Sequence, residues 1–63
     1  MFIQVSERGE GVLTLINVVE IQTIRNYNHY CQIVFRGGGV VDVTESFRAI
    51  KVAINNLNLK GGE

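Results

Sequence analysis

A chain of 63 residues with one cysteine and one histidine has no internal disulfide and no zinc framework available to it. Six basic and six acidic side chains cancel to a formal charge of zero, so binding to nucleic acid through phosphate neutralisation starts without an electrostatic advantage. One domain of this size is stable by a narrow margin, and 46% hydrophobic against 19% charged residues predicts that self-association covers part of its apolar surface.

The first predicted strand is "FIQV", Phe2 to Val5. The turn "SERGEG" follows, with Gly9 and Gly11 free to take positive φ. "VLTLI", Val12 to Ile16, is rich in aliphatic and β-branched residues and predicts a second strand. Asn17 is a good N-cap, and Glu20 stands three residues on, the spacing of a capping box. A single helical or 3₁₀ turn is expected there, and "IQTIR", Ile21 to Arg25, resumes as the third strand.

"YCQIVFR", Tyr30 to Arg36, is the fourth strand, with Cys31, Ile33 and Phe35 on one face and Tyr30, Gln32, Val34 and Arg36 on the other. "GGG", Gly37 to Gly39, predicts a three-residue hairpin loop that needs positive φ near its end. It would pair Phe35 with Val41 and Ile33 with Val43. "VVDVT", Val40 to Thr44, is the fifth strand.

From Glu45 the period lengthens to that of a helix. Phe47, Ile50, Ile54 and Leu57 share one face. Thr44 is the expected N-cap, and Glu45 in the first turn suits the helix dipole. About three turns should end between Asn58 and Gly61.

These elements predict an α+β fold: a small bent antiparallel sheet or partial barrel of about five short strands with one C-terminal helix. A single domain is expected over residues 1–60, with a loose tail at 61–63. One helix covers one face of such a sheet. Phe2, Tyr30, Val34, Val40 and Val52 are left pointing elsewhere, which asks for a curled sheet or a second copy.

No apolar run approaches the roughly 18 residues of a membrane helix. The opening "MFIQVSERGE" lacks a basic region followed by an apolar segment. With the lone thiol, this predicts a soluble, cytoplasmic protein without a membrane partner.

Little in the chain points to chemistry. The stretch "RGGGVV" runs from strand to strand, whereas a phosphate cradle runs from a strand into a helix. "NLNLKGG" has the glycines of a ubiquitin-like tail, but a helix precedes them. Cys31 and His29 are the one conceivable nucleophile and base, and Cys31 alternates inward. No catalytic group, cofactor or metal is expected.

The candidate contact surface is the second hairpin, with Arg25, Tyr27, His29, Tyr30 and Arg36. Aromatic rings stack on bases and guanidiniums hold phosphates. The alternative is a four-residue turn, "NYNH", whose tyrosines pack over the sheet edge with their hydroxyls in water. Two functions follow. One is a non-enzymatic, self-associating interaction or assembly module with room for a protein partner. The other, which the neutral charge disfavours, is a nucleic-acid-binding module.

The pattern "LINVVEIQTI…QIVFRGGGVVDVTESFRAIKVAI" resembles that of the small FlbD/SwrD-type flagellar-operon proteins. The matched elements are Asn17, Ile21, Ile24, Gly37 to Gly39, Val43, Glu45 and Ser46. Every one is a core, turn or cap residue, so the resemblance implies a fold and transfers no site. The strand–strand–helix rhythm is also similar to the first half of LytTR DNA-binding domains, without the second half. The expected bent sheet with one helix looks like Sm-like RNA-binding proteins, in which the helix comes first.

Overall fold

Five strands, one 3₁₀ turn and one helix make up the computed structural model, which describes residues 1–61, with side chains through residue 57. Residues 62 and 63, most of the expected loose tail, lie outside the described residues. In chain order come β1 (Phe2–Ser6), β2 (Leu13–Asn17), the 3₁₀ turn (Val18–Glu20), β3 (Ile21–Asn26), β4 (Cys31–Phe35), β5 (Val40–Val43) and α1 (Phe47–Gly61). The strands form two small antiparallel sheets, β1–β2 and β3–β4–β5.

The two sheets are stitched at one seam. Glu7 bridges Val43, Arg8 N–H donates to the Asp42 carbonyl at 2.8 Å, and Thr44 N–H donates to the Ser6 carbonyl at 3.0 Å. On the far side β2 reaches β3 through the 3₁₀ turn. That corner is tied down by Val18 N–H donating to Met1 O at 2.8 Å and Arg36 N–H donating to Glu20 O at 2.9 Å. Asn17 caps the turn, its Oδ1 accepting from Val19 N–H at 3.2 Å. The expected break between the second and third strands is thus made at a capped 3₁₀ turn, and it separates two sheets.

Alternation places the core. Ile3 and Val5 from β1, Ile16 from β2, Cys31 and Ile33 from β4, Val43 from β5 and Ile50 from α1 are buried together. Each such aliphatic side chain contributes about 1.5–3 kcal/mol relative to exposure. The helix face that the sequence period marks out is the one used: Phe47, Ile54 and Leu57 pack around Ile50.

Several local expectations are corrected. The hairpin loop is Arg36–Gly38, one residue earlier than Gly37 to Gly39. Phe35 N–H donates to Gly39 O at 2.8 Å and Gly38 N–H to Phe35 O at 2.9 Å, with Gly38 at φ 100. Ile33 therefore faces Val41, and Cys31 faces Val43. The shift is by two residues in pairing, so every side chain keeps its face. This register also sets Gln32 opposite Asp42, where the Gln32 amide donates to Asp42 Oδ1 at 3.2 Å.

The helix begins at Phe47, and its N-cap is Ser46 rather than Thr44. Ser46 Oγ accepts from Ala49 N–H at 3.1 Å, and Ser46 O accepts the first helical bond from Ile50. Glu45 stands outside the first turn, because its carboxylate has another partner: Ser6 N–H donates to both of its oxygens at 2.9 Å. At 15 residues α1 is about four turns long, one more than expected.

A β-bulge between Ile21 and Thr23 offsets the pairing of β3 with β4. Ile21 and Ile24 are three residues apart and would face opposite ways on a regular strand. The extra residue turns both toward the core, opposite Phe35 and Ile33.

Candidate functional site

The predicted contact residues divide between two ends of the fold. Tyr27, His29 and Tyr30 stand in the link between β3 and β4, closed by Tyr27 N–H donating to Tyr30 O at 2.9 Å. The two tyrosine rings stack with centroids 5.1 Å apart and planes 24° apart. Arg25 lies in β3 opposite Gln32 and is exposed. Arg36 belongs to the opposite end of β4, about 17 Å away along a strand of this length. One hairpin tip does not hold all five residues.

A different arginine joins the tyrosines. The Arg8 guanidinium sits 4.3 Å from the Tyr30 ring centroid. It comes from the β1–β2 turn, carried there by the seam with β5. Sequence reasoning missed it because the contact spans two hairpins and depends on a bridge that no local signal announces. Two partners already engage the Tyr30 ring, so Tyr27 offers the freer aromatic surface.

Beside this stack opens a cleft of 440 Å³, walled by Tyr27, His29 and Tyr30 on one side and by Glu45, Phe47 and Arg48 on the other. Cys31 reaches it from below but is 1% exposed. Burial pushes the Cys31 thiol above the ordinary range. Its Sγ donates to Asn26 Oδ1 at 3.9 Å. A buried, protonated thiol held by a neutral amide lacks the electropositive setting that makes a nucleophile. No group of three or more His, Cys, Asp or Glu placed to hold a metal ion occurs among the described residues. No helix among them is long and apolar enough to cross a membrane.

The larger unsatisfied feature is apolar. Phe2, Leu13 and Leu15 share the outer face of the β1–β2 hairpin and are 56%, 64% and 65% exposed. Val40 of β5 is 58% exposed. Phe2, Leu15 and Val40 stand around a groove of 570 Å³, with Ile16, Phe35 and Val41 deeper in it. The expectation that Phe2, Val40 and Val52 point away from the core holds, whereas Val34 and Tyr30 are half-buried. Leu13 and Leu15 escaped sequence reasoning. Both rows of "VLTLI" contain aliphatics, and the pairing of Ile3 with Ile16 is what turns Leu13 and Leu15 outward.

No protein-family model matches the chain, and no curated protein and no solved structure matches it at a significant level.

Proposed function

We propose that this protein is a small self-associating assembly module that works by contact rather than by catalysis, in the cytoplasm, where a lone thiol stays reduced. The observation that carries the reading is the outer face of the β1–β2 hairpin. Three large apolar side chains, each more than half exposed, stand side by side there on a domain with few charges. Contiguous apolar surface of that kind marks a contact site. The resemblance to FlbD/SwrD-type proteins, which brings no catalytic motif, fits the same reading. A protein partner could share the surface with a second copy.

Size-exclusion chromatography with light scattering at tens to hundreds of micromolar tests it. A mass that rises above 7.0 kDa with concentration is expected. A constant 7.0 kDa removes the support.

A second reading, single-stranded nucleic acid bound at the β3–β4 link, has one observation in its favour. Arg8, Tyr30 and Tyr27 form a cation–aromatic stack, with Arg48 on the neighbouring cleft. Fluorescence anisotropy with a short RNA or DNA at low salt decides it, because phosphate contacts are strongest there. No change in anisotropy ends that reading.

A further inference from the structure

The hydrogen-bond phase of the β1–β2 hairpin decides which way the main chain of β2 faces. Glu7 N–H donates to Val12 O, and Val18 N–H donates to Met1 O, so the bonded pairs fall at Val12, Thr14, Ile16 and Val18 of this segment. The N–H and C=O groups of Leu13 and Leu15 and the N–H of Asn17 point the other way, whereas the Asn17 carbonyl accepts the first bond of the 3₁₀ turn it caps. β2 has no second neighbour in its sheet, and no backbone bond from a loop or the helix reaches the outward-pointing groups among the described residues. The free edge thus carries a row of open donors and acceptors on the residues whose side chains form the exposed apolar face.

Exposed strand edges are usually protected by a charge, a proline or a bulge. β3 has a free edge as well, and it carries both a bulge, after Ile21, and Arg25. β2 has neither. Its five residues, "LTLIN", are uncharged and pair with β1 without a register shift.

We infer that β2 pairs antiparallel with β2 of a second copy about a two-fold axis at Leu15. This rests on the self-association proposed above and names its surface and geometry. The occupant is a second copy because the edge is complementary to itself. With Leu15 opposite its symmetry mate, Leu13 meets the partner's Asn17 and Asn17 meets the partner's Leu13. Leu15 and its mate then exchange two bonds and each Asn17 N–H donates to the partner's Leu13 carbonyl, giving roughly four hydrogen bonds. Sliding the register by two residues leaves one outward residue on each strand without a mate. The result is a continuous four-stranded sheet in which Leu15 packs against the partner's Leu15 across the join, while the rest of the outer apolar face stays open. Two five-residue strands bury less than the roughly 800 Å² per partner of a standard interface, so the dimer is weak and forms in the micromolar range.

The test is cysteine cross-linking on a Cys31→Ala background. Leu15→Cys sets two thiols opposite each other with Cα atoms about 5.5 Å apart, within disulfide range. Leu13→Cys sets its two thiols four residues apart along the strands, roughly 13 Å, beyond that range. Rapid oxidation of Leu15→Cys to a covalent dimer, at least tenfold faster than Leu13→Cys, is expected. Leu15→Pro, which removes an edge donor, should return the mass to 7.0 kDa while circular dichroism stays native. If the wild type oligomerises but Leu13→Cys cross-links as fast as Leu15→Cys, or a folded Leu15→Pro stays oligomeric, the self-association survives and the β2 pairing is wrong. If the wild type is monomeric at hundreds of micromolar, both are wrong.

Discussion

Replacing Glu45 tests how the helix is joined to the sheets. Both oxygens of its carboxylate accept from Ser6 N–H at 2.9 Å, which ties the end of β1 to the residue before the N-cap of α1. A bond to a charged acceptor contributes about 1.5–3 kcal/mol. Ser6 and Glu45 are both half-buried, so water reaches the bond and the lower end applies. Glu45→Ala should therefore cost about 1.5 kcal/mol, or roughly 6–12 °C in Tm for a domain of this size. Glu45→Gln keeps an acceptor oxygen and should cost about half as much. If Glu45 acted as a first-turn residue on the helix dipole, its removal would cost about 0.3–1 kcal/mol. Urea unfolding followed by circular dichroism separates the two, read at constant slope. A loss of about 1 kcal/mol or less for Glu45→Ala would refute the tie between β1 and α1.

The helix cap is tested separately: Ser46→Ala should cost about 1 kcal/mol and Thr44→Ala close to nothing, as read from urea midpoints. The hairpin register predicts that Gly38→Ala, at φ 100, costs about 1–2 kcal/mol. Gly39→Ala should be tolerated, since a Cβ there meets only Phe35 at an ordinary 3.9 Å. Burial raises the Cys31 pKa above its unfolded value, so the unfolded chain ionises first as pH rises. Its stabilising contribution is whole below the unfolded thiol pKa of about 8.5 and declines above it. Urea midpoints at about pH 7 and pH 9.5 should show that extra loss in the wild type and not in Cys31→Ala; equal slopes would contradict it.

Periodicity carried most of the fold. The helical spacing of Phe47, Ile50, Ile54 and Leu57 and the alternation of Cys31, Ile33 and Phe35 both name faces that are buried in the structure. What escaped are choices between near-equal local options settled by distant partners. Thr44 and Ser46 are both good N-caps, and Ser6 across the fold draws Glu45 out of the helix. Three consecutive glycines allow more than one loop register, and Gly38 is the one held at positive φ. The spacing of Ile21 and Ile24 makes sense once a bulge is admitted. Of the candidate contact residues, Tyr27, His29 and Tyr30 come together and Arg36 does not, while Arg8 enters across a seam that no local signal announces.

Sedimentation equilibrium of the purified chain across a hundredfold range of concentration bears most directly on the proposed role. The account predicts a reversible shift from 7.0 kDa toward twice that mass in the micromolar range. A single species of 7.0 kDa at every concentration would contradict it.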